Sequence, residues 1–108
     1  MKLTRDVYEV TQKFPRKEIF GLTSQLCRAA VSVPSNIAEG HGRLSDKNFA
    51  VFLAQARGSL YELETQLELA ESLGYFPKDQ LQILLADSAE VGRMLNGLLR
   101  TLRQPQVH

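Results

Sequence analysis

Residues 45–73 read SDKNFAVFLAQARGSLYELETQLELAESL, and the spacing of their apolar side chains decides the fold. Phe49, Leu53, Ala56, Leu60, Leu63, Leu67 and Ala70 recur at alternating steps of four and three. The mean step of about 3.5 residues is that of a helix packed along its neighbours at a shallow angle. Ser45 suits the N-cap, and Asp46 falls where the helix dipole favours a carboxylate. Gly74 is a natural terminator, and Pro77 just beyond it doubles the stop signal. At about 1.5 Å per residue, this helix is about 40 Å long.

The flanking segments follow the same logic. Downstream, Leu81, Leu84, Ser88, Val91, Leu95, Leu98 and Leu102 predict a helix over about 78–103, with Pro77 suited to its first position. Gly92 and Gly97 each cost this helix about 1 kcal/mol relative to Ala and are placed for close approach by another helix. Upstream, Leu22, Leu26, Ala29, Val33 and Ile37 predict a helix from about 22 to 39, entered through a polar turn at Arg16–Glu18 and closed by Gly40-His41-Gly42. Pro34 lies inside it, removes one backbone hydrogen bond and predicts a kink. Leu3, Val7, Val10 and Phe14 give a short first helix of about 18 Å, stopping at Pro15. Nothing alternates like a strand. The expectation is an all-α, antiparallel up-down-up-down four-helix bundle, one domain over 1–103, with a frayed tail at 104–108. Its short first helix leaves part of the apolar seam uncovered at one end.

Composition bounds the function. The 108 residues carry 44% hydrophobic and 23% charged side chains, the mix of one soluble domain. Thirteen Lys and Arg against twelve Asp and Glu leave +1, which argues against an overtly basic nucleic-acid module and against an acidic disordered tail. The single cysteine, Cys27, cannot form an internal disulfide, and a reducing compartment is its default setting. No apolar run approaches the ~20 residues of a membrane span, and residues 1–10 hold no secretory core. A cytoplasmic protein is expected.

Catalysis has little to work with. Glu39 and His41 lack the i, i+4 spacing of a helical metal pair, and His108 sits in the tail. Cys27 reads as a small buried thiol, and Gly40-His41-Gly42 lacks the strand and helix that frame a phosphate loop. No enzyme activity, metal, cofactor or small-molecule substrate is expected. The polar stripe Arg28, Ser32, Ser35 and Glu39, flanked by Asn36, admits two readings: local repair of the hydrogen bonding that Pro34 disturbs, or a polar surface for a partner. Antiparallel register about Tyr75 suggests a Glu62–Arg93 ion pair, worth only about 0–1 kcal/mol if exposed. Arg57, opposite Arg28, calls for carboxylates from another helix or subunit. Val51, Phe52, Tyr61, Leu69, Ile83, Met94 and Leu99 widen the apolar surface beyond the seams, as in a helix that buries a second face on another molecule.

Charge sorted by bundle end is uneven. One end collects Lys2, Arg5, Arg43, Lys47, Arg100 and Arg103 against Asp6, Glu39 and Asp46; six cations against three anions give +3. In a parallel ring of subunits this end forms a face able to hold RNA or DNA phosphates in a salt-sensitive, sequence-independent way. Cations at a helix C-terminus also simply complement its dipole, and no aromatic residues interleave for base stacking.

The stretch FPRKEIFGLTSQLCRAAVSVPSNIAEGHG at 14–42, with FLAQARGSLYELETQLELAESLGY at 52–75, resembles the four-helix-bundle family of the 23S rRNA intervening-sequence protein. The most specific element is SVPSNIAEG at 32–40, containing Ser32, Pro34, Ser35, Asn36, Glu39 and Gly40. The resemblance spans about residues 4–100. It implies a small antiparallel bundle assembling into a homopentamer, with no enzymatic activity or cofactor. A related branch, the accessory variability protein of diversity-generating retroelements, is a basic pentamer that binds nucleic acid and a reverse transcriptase. Relatives carry further helical turns, often with a Trp, before the Leu3–Phe14 segment, so the first helix and its subunit contacts are where this chain is expected to differ.

Overall fold

A computed structural model describes residues 1–103, Arg103 by its backbone alone; the tail expected to fray, with His108, lies outside the described residues. Helices α1 (Lys2–Thr11), α2 (Leu22–His41), α3 (Asp46–Ser72) and α4 (Lys78–Arg103) are joined by short connections, the first containing a 3-10 turn at Arg16–Glu18. The described residues contain no strand. Each helix packs on its chain neighbours, α1 closes onto α4, and the α2–α3 interface is the most extensive. Cross-helix partners run in opposite directions along the chain: Ser32 meets Ser59 and Gln25 meets Gln66, while Arg57 meets Asn96 and Glu64 meets Ser88. Adjacent helices are therefore antiparallel.

The helix ends follow local chemistry. Ser45 Oγ accepts the Asn48 amide at 3.2 Å and caps α3. At the other end Gly74 adopts φ +80°; its amide donates to Glu71 O at 2.8 Å and the Tyr75 amide to Ala70 O at 3.1 Å. These are the two bonds of a Schellman termination. Pro77 stands one residue before α4 rather than within it, and its carbonyl accepts the Leu81 amide at 3.1 Å. Helix α1 stops at Thr11, short of Phe14, where the chain goes over to tighter bonds from the Lys13 amide to Val10 O and from the Phe14 amide to Thr11 O, both 3.1 Å, before Pro15, which has no amide to donate. Phe14 is nevertheless buried, its ring 5.3 Å from that of Tyr75 and 6.0 Å from that of Phe76.

Leu26, Leu53, Leu60, Leu63, Leu67 and Leu95 form the fully buried centre of the core. Leu99 joins the core rather than the outer surface, whereas Leu98 is 37% exposed. Beyond Leu95 a straight helix follows a 3.6-residue period, and the strict alternation of three and four drifts off the buried stripe.

Two backbone features of α2 bear on its partners. Pro34 has no amide to offer the Ala30 carbonyl four residues earlier, and the helix runs on through it. Thr4 Oγ1 of α1 donates to that carbonyl at 2.9 Å, so the repair comes from another helix. At Gly40 a Cβ would stand 2.7 Å from Phe52 Cβ and 2.9 Å from Phe49 Cδ1. Helices α2 and α3 approach closely here. At Gly92 a Cβ would reach Leu60 at an ordinary 3.5 Å, and at Gly97 it would meet nothing within 4 Å, so the close approach expected there is not made. Among the described residues, no helix is long and apolar enough to cross a membrane.

Candidate interaction surfaces

The polar stripe of α2 opens onto a groove of about 400 Å³ between α2 and α3, lined by Gln25, Arg28, Ala29, Ser32, Ser59 and Glu62. Small residues at positions 29, 32 and 59 keep it open. Ser32 Oγ lies 2.8 Å from Ser59 Oγ, and Asn36 Nδ2 donates to Ser32 Oγ at 2.9 Å and to Ser32 O at 2.8 Å. Asn36 thus serves the helix backbone near Pro34, while Ser32 reaches across to α3 instead of back to its own helix. Ser35 is exposed.

The expected Glu62–Arg93 ion pair does not form. Glu62 Oε1 accepts from Gln66 Nε2 at 3.0 Å and lines the α2 side of α3, away from α4. Glu64 takes the place facing α4 and accepts from the buried Ser88 hydroxyl. Arg57 Nη1 donates to Asn96 Oδ1 at 2.9 Å, so its partner is an amide on α4. Gln66 is the most constrained polar group: Nε2 also donates to Gln25 Oε1 at 3.4 Å, while its buried Oε1 has no partner.

The basic cluster is divided. Lys2 Nζ bridges Asp6 at 3.0 Å and Asp87 at 3.1 Å, and these two carboxylates hold its pKa above the usual lysine value. Asp87 precedes Arg103 by sixteen residues, about 24 Å along α4. Lys2, and Arg5 one turn further on, therefore flank the middle of the bundle rather than its end, because α1 is short. Arg43 is held by Glu39 at 3.5 Å and lies 4.8 Å over the Phe52 ring. Phe52 is half-buried beneath it. Lys47 and Arg100 are exposed at this end, and the Arg103 side chain lies outside the described residues.

At the opposite end Glu18 ties three segments together. Oε1 accepts the Leu22 amide at 3.1 Å and Oε2 accepts the Tyr75 hydroxyl at 2.7 Å. The Tyr75 hydroxyl, and after it the Leu22 amide, lower the Glu18 pKa; the same carboxylate raises that of Tyr75. Half-buried Cys27 has its Sγ 3.7 Å from Thr11 Oγ1. No group of three or more His, Cys, Asp or Glu placed to hold a metal occurs among the described residues.

The remaining surface carries large apolar side chains. Val51, Tyr61, Leu69, Ile83 and Met94 are exposed, as the sequence predicts, and Phe20 and Leu44 stand almost wholly free at 95% and 106%. Beside the N-terminal end of α1, Met1, Pro34, Ile37, Ala38, His41 and Met94 line an open groove of about 530 Å³.

The family model for the 23S rRNA-intervening sequence protein matches residues 1–97. The chain belongs to this family. The 23S rRNA-intervening sequence protein fold is seen again in the crystal structure of a protein of unknown function from the S23 ribosomal protein family of Bacteroides thetaiotaomicron VPI-5482. That structure shares 24% identity, a TM-score of 0.79, and coverage of 90% of this chain and 88% of its own, a likeness of fold alone. No curated protein matches the chain.

Proposed function

We propose that this 23S rRNA-intervening sequence family member is a non-enzymatic, cytoplasmic assembly module: a homo-oligomer, with a pentamer favoured, that presents its surface to a macromolecular partner. The observation that carries this reading is the set of exposed Val51, Tyr61, Leu69, Ile83 and Met94 on α3 and α4, outside the core those helices already fill. A helix apolar on more than its core face gains by covering the second face with another molecule. The test is light scattering behind a sizing column for the unaltered chain and for Tyr61→Glu and Ile83→Glu. The unaltered chain runs as an oligomer and the charged variants as smaller species with unchanged helix content. A monomer at micromolar concentration removes the support for this reading.

A sequence-independent phosphate contact is the second reading. Its support is narrower than the sequence suggests, resting on exposed Lys47, Arg43 and Arg100 near one bundle end. Titration of structured RNA across a salt series tests it; absence of binding at low salt ends it.

A further inference from the structure

Arg28 is a cation in search of an anion. Its guanidinium donates to Ser24 Oγ at 3.4 Å, and among the described residues it has no carboxylate within ion-pair distance. Glu62 stands at nearly the same height on the opposite wall of the groove but is drawn along its own helix to Gln66. A hydroxyl hydrogen is also in surplus. Ser32 Oγ already accepts from Asn36, and the Ser32–Ser59 contact, whichever hydroxyl donates, uses one hydroxyl hydrogen and leaves the other without an acceptor among the described residues. A guanidinium beside a free hydroxyl is the donor set for a carboxylate.

A carboxylate of matching height occurs on the far side of the same molecule. The neighbour order α1–α2–α3–α4 sets the α2–α3 face opposite the α4–α1 face. Ser32 beside Ser59 and Gln25 beside Gln66 set the register of α2 on α3; Glu64 beside Ser88 and Arg57 beside Asn96 set that of α3 on α4. Interpolation places Arg28, Glu62 and Glu90 at one level. Glu90 is exposed, lines the trough along α1 and α4, and is in no ion pair among the described residues. The one lysine of that trough, Lys2, is already shared between Asp6 and Asp87.

We propose that the α2–α3 groove takes the α4–α1 face of a second copy of this chain, with Glu90 of one copy docked against Arg28 and the Ser32–Ser59 hydroxyls of the next. The proposal rests on the homo-oligomer reading above and supplies its pairing. The two faces are different, so the contact is heterologous and repeats head to tail, the kind that closes into a ring when the rotation allows. Equal heights of the two charges keep neighbouring copies parallel and level.

The experiment compares the unaltered chain with Arg28→Glu, Glu90→Arg and the double variant, by mass in solution across a dilution series and by helix content. Both residues are exposed, and the fold is expected to persist in all four. Each single reversal sets like charges together and weakens association at least tenfold; the double variant restores the pair with its signs exchanged and regains the original mass. Single variants with undiminished association, or a double variant that stays dissociated, overturn the pairing while the oligomer reading stands. A monomeric unaltered chain overturns both.

Discussion

Thr4 and Gly40 show how single atoms position α2. Removing the Thr4 hydroxyl by Thr4→Val leaves the Ala30 carbonyl without its donor and is expected to cost about 1–2 kcal/mol in urea unfolding. In a Pro34→Ala background position 34 regains an amide for that carbonyl, and the same substitution should cost far less. Equal costs in both backgrounds would show that the bond does not stand in for the missing amide. Gly40→Ala forces a methyl group against Phe52 and Phe49 and is expected to destabilise by about 1–3 kcal/mol, whereas Gly97→Ala, with open space around it, stabilises by up to about 1 kcal/mol. Thermal melts of the two variants check the signs. The run SVPSNIAEG was conspicuous in the sequence for its mid-helix proline, but its partners were not legible. Thr4, Ser59 and Phe52 lie on other helices, and helical periodicity places a residue on a face without saying which atom it meets.

At the scale of helices and their ends, the sequence was most informative where the signal is local. Ser45 and Gly74 cap α3 through bonds to residues within a few positions, and both were readable. Glu18 was not, because its two bonds join the turn before α2 to the turn after α3. This carboxylate makes the end of the bundle pH-dependent in a definite direction. Its folded pKa lies below the ordinary 4.5, so the stabilisation is fully present above that value and is lost as pH falls through the depressed folded value. Tyr75→Phe removes the larger cause of the shift. Its acid unfolding curve, followed by circular dichroism, is expected to show a smaller loss of stability below pH ~4.5 than the unaltered chain; superimposable acid limbs would contradict this. The Leu98–Leu99 exchange in the core has an equally physical origin, the drift of a straight helix away from a seven-residue repeat over its last turns.

For the whole molecule, the bundle itself followed from four periodic segments and short connections, whereas the distribution of charge did not. Sorting charges by chain position assigned Lys2 and Arg5 to the basic end; a ten-residue α1 beside a 26-residue α4 brings them to its middle instead. Pro34, Ile37, His41 and Met94 face an open groove beside Met1. The proposed self-assembly rests on exposed apolar side chains on α3 and α4, and on a guanidinium on one face and a carboxylate on the opposite face that are in no ion pair among the described residues. Native mass spectrometry of the unaltered chain tests that claim most directly. A discrete assembly at an integral multiple of 12.1 kDa is expected, a pentamer being the favoured count, whereas a lone 12.1 kDa species at micromolar concentration would show that the chain does not assemble.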